Sequence, residues 1–386
     1  MGLNDLFIVL KKATRKGVAF FDTICVTVIS FNPKSIIFFI DRSMNLNDKI
    51  EFSDNKILLF DKKLSNAKKV VITSHKSPDG DSVGSSLALY LYLTKKGINV
   101  TVCHPDAAPP FLNWLFGFDK ILNLEEDFIN VEQLINDADI IFCLDYNALN
   151  RTGNEMEEMI QGSGAYRIMI DHHLYPSDEF DLSFSDIKSC STAQLIFDFI
   201  VALGDRNLID VKMGEAIYCG IMTDSGSFRF PSTTPHTHEV IAELLKIGVS
   251  NAKVHEAVFD TNTTSRLKLR GYAIDNKLEV LEYERTAIMS LTKSELIRYN
   301  YQKGDTEGLV NVGLSILGVE KSIFLSEGDG YIKMSFRSKG EDNPINEMAS
   351  KYFHGGGHAN ASGGKFEGTI EEAIAEVKRV LPEFKK

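Results

Sequence analysis

The sequence predicts an α/β fold, a doubly wound parallel sheet followed by a second, smaller α/β domain on a mixed sheet. Up to about residue 245, short apolar runs alternate with amphipathic stretches, the pattern of parallel strands joined by crossover helices. Several of these runs end on an aspartate or a histidine. A polar stretch at 248–262, with Thr261, Asn262, Thr263 and Thr264 at its end, then separates a region where strands and helices follow a different rhythm.

Residues 69–73 read as the first strand, and Asp81 and Ser82 offer an N-cap for a helix running to Leu93. Residues 98–103 read as the next strand, followed by a Pro-rich loop at 105–110. An acidic helix at 131–136 leads into a strand at 139–144 that ends on Asp145. Residues 151–160 read as helical, and the strand 166–170 ends on Asp171. Ser191 caps a helix reaching Ile200, a helix from Val211 delivers Thr223 and Asp224, residues 226–229 turn, and 235–245 is helical. Beyond the polar stretch, strands are expected at 278–281, 287–291, 319–326 and 330–336, with helices at 307–316, 344–351 and 370–380.

At 386 residues the chain is too long for one ordinary core, and 44% hydrophobic with 25% charged residues describes folded protein. A net charge of −11 argues against wrapping a long duplex, since such binding rests on many contacts from Lys and Arg to phosphate. Cys25, Cys103, Cys143, Cys190 and Cys219 are scattered through apolar runs without CxxC spacing, as expected of reduced core residues in a cytoplasmic protein. Residues 1–43 differ from the rest. Their apolar runs at 20–31 and 36–40 are split by Asn32, Pro33 and Lys34, and neither approaches the ~20 residues needed to span a bilayer. Three readings of this N-terminal extension remain, a peripheral membrane or partner segment, a packed extension, or residues upstream of a start at Met44, with the folded core expected to begin at about Asn45.

The chemistry gathers in four segments: His75 to Asp81, Asp145, Asp171 to His173, and Thr223 with Asp224. His75 and Asp79 can turn toward one ion and Asp81 toward another, because Pro78 and Gly80 are suited to a tight backbone. Asp145, alone at the end of a buried strand, is the best candidate to bridge two ions, and His172 with Asp224 would complete the second. Two ions held close together activate water and stabilise charge on phosphoryl oxygens. Oxygen-rich sites with one imidazole per ion suit Mn²⁺, with Mg²⁺ or Co²⁺ as alternatives. Asp171 can instead orient an imidazole. In the second region, Gly355, Gly356 and Gly357 followed by His358 make sense as a phosphate-binding turn, and Arg337, at the end of a strand, as a bidentate phosphate contact.

The segment His75-Lys76-Ser77-Pro78-Asp79-Gly80-Asp81 and the triplet Asp171-His172-His173 resemble the signature motifs of the DHH phosphoesterase superfamily, with Asp145 and Asp224 at the intermediate and last motif positions. Residues 355–364 resemble the glycine-rich motif of the associated DHHA1 domain. Within the superfamily the chain is most similar to bacterial bifunctional oligoribonuclease and pAp phosphatase proteins, the nanoRNases. The resemblance implies a DHH catalytic domain at 44–250, a linker at 251–262 and a DHHA1 substrate-binding domain at 263–386. It implies that His75, Asp79 and Asp145 hold one Mn²⁺, that Asp81, Asp145, His172 and Asp224 hold the other, and that His173 lies near the scissile phosphate. Arg337, His358 and the three glycines become substrate residues. Short RNA oligonucleotides and pAp become the expected partners, with a homodimer allowed and no membrane association. Hydrolysis of a linear or cyclic dinucleotide, pyrophosphate hydrolysis and non-catalytic nucleotide binding are the competing readings.

Overall fold

The computed structural model describes residues 52–384 apart from Glu341. The expectations for residues 1–43, for a start at Met44 and for Cys25 lie outside the described residues. Strands β1 (Val70–Thr73), β2 (Val100–His104), β3 (Ile121–Asn123), β4 (Ile140–Leu144), β5 (Tyr166–Asp171) and β6 (Leu182–Ser185) form one sheet in the order β3-β2-β1-β4-β5-β6. Every pairing in it is parallel.

Both faces of this sheet are covered, which explains why its four inner strands read as apolar runs, while the short edge strands β3 and β6, half-exposed and partly polar, were not expected from the sequence. Val70, Ile72, Ile140, Phe142 and Leu144 pack into one core with the helices Gly80–Lys95, Thr192–Ala202 and Val211–Asp224. Val71, Ile141 and Cys143 point the other way, toward the helices Phe128–Asn136 and Asn154–Gly162. The strand order reverses between β1 and β4, and such a switch point leaves a crevice at the carboxyl ends of the strands. Thr73 is level with Cys143 and Leu144 with Ile170. Carrying that register forward puts His75, Asp145 and Asp171 side by side at the rim of the crevice.

The sheet's covering helices pack unusually close. A Cβ on Gly84 would lie 2.5 Å from the Ala216 carbonyl oxygen, and one on Gly220 would lie 2.4 Å from the Ala193 Cβ and 2.7 Å from Asp81 Oδ1. These glycines let three helices converge just behind the crevice.

The polar stretch expected as a linker is mostly structured. Residues 251–259 form the helix Asn251–Phe259, and its Val254 and Val258 join the first core. The helix is only nine residues long and lies between Gly248 and the polar residues 260–264, so its apolar positions Val254 and Val258 were read as part of the polar stretch.

The second sheet runs β11-β12-β10-β9-β8-β7, with β7 (Glu279–Leu281), β8 (Thr286–Leu291), β9 (Lys321–Glu327), β10 (Ile332–Ser338), β11 (Gly356–His358) and β12 (Ala361–Phe366). It is mixed, since β8 and β9 pair in parallel and the other neighbours antiparallel. One face packs Ile332, Met334 and Phe336 against the helices Asn346–Tyr352 and Ile370–Val380. On the other face the helices Thr264–Lys277 and Leu309–Leu314 cover β8 and β9 through Leu269, Leu309 and Val310 against Met289, Leu291 and Phe324. The β10 and β12 part of that face belongs to neither core. Gly355 to His358, expected as a turn, instead lead into and form the first strand of this β11–β12 hairpin. A Cβ on Gly355 would lie 2.0 Å from the Gly363 carbonyl oxygen, and Gly357 sits at φ 136°, so close strand pairing explains two of the three glycines. Gly356 faces open space.

Candidate metal centre

The crevice at the switch point gathers the expected residues. Asp145 follows β4 with φ 64°, a left-handed conformation that an aspartate tolerates better than most residues. Its two carboxylate oxygens face opposite ways. Oδ2 lies 3.4 Å from His75 Nε2, which is also 3.9 Å from Asp79 Oδ2. Oδ1 lies 3.6 Å from His172 Nε2, which is also 3.8 Å from Asp81 Oδ2 and 3.6 Å from Asp224 Oδ2. His75, Asp79 and Asp145 therefore converge on one side, and Asp81, Asp145 and His172 on the other, with Asp224 completing the second set.

Local structure explains each position. Asp79 is the N-cap of the helix Gly80–Lys95, its Oδ1 accepting from the N–H groups of Asp81 and Ser82 at 3.0 and 3.1 Å, which leaves Oδ2 for His75. The cap is thus Asp79 rather than Asp81 or Ser82. Gly80 does not bend the chain, because it is the first helical residue, and a Cβ there would meet Thr223 Oγ1 at 2.3 Å. Asp81 is held from a distant segment: its carboxylate accepts from the N–H groups of Thr192 at 2.6 Å and Ala193 at 2.8 Å, where the positive end of a helix favours an anion. Thr192 Oγ1 also donates to Asp145 at 3.0 Å.

Both metal-facing imidazoles are oriented with Nε2 as the nitrogen left for an ion. His75 Nδ1 donates to the Lys76 carbonyl at 2.9 Å and His172 Nδ1 to the Ser189 carbonyl at 3.2 Å, so in each neutral ring the Nε2 lone pair points into the acidic cluster. Asp171 has the orienting role, but for the second histidine: its carboxylate takes His173 Nδ1 at 2.7 Å and the His173 N–H at 3.0 Å.

The charges in the cluster demand a cation. Burial, then the neighbouring charges of Asp145, Asp224 and Asp79, push the Asp81 carboxyl well up, and burial with Asp79 and Asp145 raises Asp224 to about 6. Burial also opposes the ionised forms of Asp145 and His75, yet their mutual contact wins: Asp145 is held well below the carboxylate range and His75 is raised to about 9. Oxygen donors with one imidazole per side fit divalent ions of the Mg²⁺ and Mn²⁺ kind. The residues present therefore suit a pair of such ions.

The second sheet supplies a roof. The His358 ring stacks on His173 at 4.6 Å and lies 5.1 Å from His172. Burial, then the two histidines, lowers His358 to about 3, so it is neutral. Arg337 is half-buried at the same cleft, where desolvation lowers its pKa and Asp224 and Glu307 oppose that shift. Sequence reasoning missed the residues that join the two sheets. Lys303 donates to Asp106 Oδ2 and to the Ala107 carbonyl, both at 2.8 Å, while Asp106 Oδ1 accepts from the Ser77 N–H at 2.7 Å. It also missed Thr192 and Ser189, which carry no motif of their own.

Comparison with known proteins agrees with this arrangement. The family model described as DHH family, N-terminal domain, matches residues 69–221, and that of the DHHA1 domain matches 288–383. The crystal structure of an exopolyphosphatase-related protein from Bacteroides fragilis superposes with a TM-score of 0.82 at 42% identity, covering 86% of this chain and 97% of that one. A probable bifunctional oligoribonuclease and PAP phosphatase NrnA from Streptococcus mutans is 28% identical over 81% of this chain and 94% of its own length. The Bacillus subtilis bifunctional oligoribonuclease and PAP phosphatase NrnA is 27% identical over 76% and 88%. A parallel sheet with an acid and histidine cluster at its switch point, roofed by a mixed sheet, defines a phosphoesterase architecture. The chain belongs to the DHH family and carries a DHHA1 domain. No helix among the described residues is long and apolar enough to cross a membrane.

Proposed function

We propose that the chain hydrolyses RNA of about two to five nucleotides to nucleoside monophosphates and removes the 3′-phosphate of adenosine 3′,5′-bisphosphate to give AMP. The observation that carries this reading is the split of Asp145, one oxygen toward His75 and the other toward His172, with Asp79 on the first side and Asp81 and Asp224 on the second. His75, Asp79 and Asp145 would hold one Mn²⁺, and Asp81, Asp145, His172 and Asp224 the other. When bound, such a pair supplies an activated water and offsets charge on the phosphoryl oxygens.

The chain's own residues do the rest. Asp171 holds His173 by Nδ1, which leaves Nε2 as the ring nitrogen to meet the scissile phosphate or the departing oxygen. His358, neutral and stacked on His173, donates one hydrogen bond to substrate phosphate. Arg337 supplies the charged contact, and the glycines at 355–357 let the hairpin backbone lie close to the ligand. Residues 44–250 act as the catalytic domain and 263–386 as the substrate-binding domain, with the break after the helix Asn251–Phe259. Names of the Streptococcus and Bacillus relatives support both activities.

The test is a direct assay of purified protein with Mn²⁺, Mg²⁺ or Co²⁺ and with chelator. Metal-dependent release of AMP from pAp and of monophosphates from a dinucleotide is expected. Preferential cleavage of pyrophosphate or of a cyclic dinucleotide would replace the reading, and no turnover with any ion would end it.

A further inference from the structure

The open half of the second sheet carries charges that neither the fold nor the metal centre needs. Lys333 of β10 and Lys365 of β12 are direct partners in antiparallel register, and both are exposed. Like charges placed opposite each other on adjacent strands are unfavourable. Among the described residues neither forms a close ion pair, and Lys365 has only the Tyr331 ring at 5.0 Å. Strand alternation puts Lys333 on the same face as Arg337, four residues away, or about 14 Å along the strand. That face turns toward the metal centre, since His358 on the neighbouring hairpin touches His173.

The helix Thr264–Lys277 borders the same surface. Its Arg266 has a buried Nε without a hydrogen-bond partner, an unmet donor that costs stability unless something fills it. Arg270, one turn on, donates to the Glu307 carbonyl at 2.7 Å and fixes that residue in place. Glu307 lies within electrostatic reach of Asp79, Arg266, Arg337 and Lys333. Arg266, Arg337 and Lys333 are thus gathered around Glu307 at the rim of the cleft, in a chain whose net charge is −11.

We propose that Lys333, Lys365 and Arg266 form a second anion subsite that takes phosphodiester groups of a single-stranded oligonucleotide beyond the one held at Arg337 and His358. This rests on the oligonucleotide reading above and adds the path of the remaining strand. The path is short, which suits a substrate of a few nucleotides. Glu307 opposes binding there as a fixed negative charge.

The experiment uses the full chain, a labelled five-nucleotide RNA and pAp. In K333A/K365A the five-nucleotide RNA should bind at least ~5-fold more weakly by fluorescence anisotropy in chelator, with the slope of log affinity against log salt reduced by about one to two. R266A should weaken it in the same direction, and E307Q should tighten it. With Mn²⁺, kcat/KM for pAp in K333A/K365A should stay within about twofold of wild type. Thermal midpoints should not fall in K333A/K365A, because a like-charge pair is removed. Unchanged RNA binding, or equal losses for RNA and pAp, would overturn the subsite. Failure of wild type to turn over either substrate would reject the functional reading, while the anisotropy measurement still decides the subsite.

Discussion

Across the cleft the two sheets present opposite chemistry by opposite means. The parallel sheet is covered on both faces and brings Asp81, Asp145 and His172 together almost wholly out of water, held by backbone N–H and carbonyl groups. The mixed sheet leaves half a face open and offers Arg337, Lys333, Lys365 and a neutral His358. A site built to hold ions needs a rigid, dry shell that fixes ligand direction. A site that meets varied phosphates works better as an open surface of long cationic side chains. The difference predicts that lesions in the first half should abolish chemistry and that lesions in the second should weaken capture.

The largest effect should come from Asp145→Asn. It removes one charge shared by both ligand sets, so kcat on a dinucleotide should fall by more than ~10³ with bound Mn²⁺ reduced and the fold retained. Two tightly held ions and near wild-type turnover would break the comparison. Arg337→Ala should raise KM by about ten- to a hundred-fold, the worth of a charge-assisted phosphate contact, with metal content unchanged. A KM equal to that of wild type, for both oligonucleotide and pAp, would refute its role in capture. A five-nucleotide RNA should be consumed at least ~10-fold faster than a strand of about 24 nucleotides at equal concentration, because the basic surface is short. A time course on the two lengths measures this.

The smallest effect concerns pH in metal-free protein. Asp224 is raised to about 6 and His75 to about 9, so the stability each confers is complete at low pH and is lost as pH rises. For Asp224 the loss runs from about 4 to 6, and for His75 from about 6.5 to 9. In the second half Glu295 behaves oppositely. Burial would raise it, but Lys277, Tyr272 and the Thr292 N–H hold it at about 2, so its contribution is present above about 4.5 and is lost toward 2. Hydrogen exchange corrected for intrinsic rates should therefore show the helix Gly80–Lys95 better protected at pH 5 than at pH 7, and Lys293–Arg298 unchanged over that range. Addition of Mn²⁺ should remove the first difference. Equal protection of the helix at both pH values in chelator would count against the charge crowding described for the cluster.

The four inner strands of the parallel sheet, β1, β2, β4 and β5, were legible because burial on both faces leaves apolar runs, and their ends marked His75, Asp145 and Asp171, whereas the short, partly exposed edge strands β3 and β6 carry no such run and were missed. The cap at Ser191 was legible for a similar reason, since a single serine before an apolar helix has a local signature. Contacts far apart in sequence had no such signature. Thr192 and Ala193 hold Asp81 across more than a hundred residues, and Lys303 reaches Asp106 from farther still. Gly80 was misread as a bend because only the packed structure reveals Thr223 beside it. The β11–β12 hairpin was missed because a glycine run has no side-chain alternation to display a strand. The pairing of Lys333 with Lys365 depends on that hairpin and was hidden with it.

The left-handed backbone of Asp145 governs how any replacement there should be interpreted. Asparagine tolerates φ 64° nearly as well as aspartate, so Asp145→Asn changes charge while sparing the chain. Alanine at the same point adds a conformational penalty of about 1–2 kcal/mol to the loss of the ligand. An alanine scan would then overstate the chemical worth of Asp145 and could shift the strand end that aligns it with His75. Glycine is the complementary control: it accepts the conformation, removes the carboxylate and measures what the side chain alone was contributing.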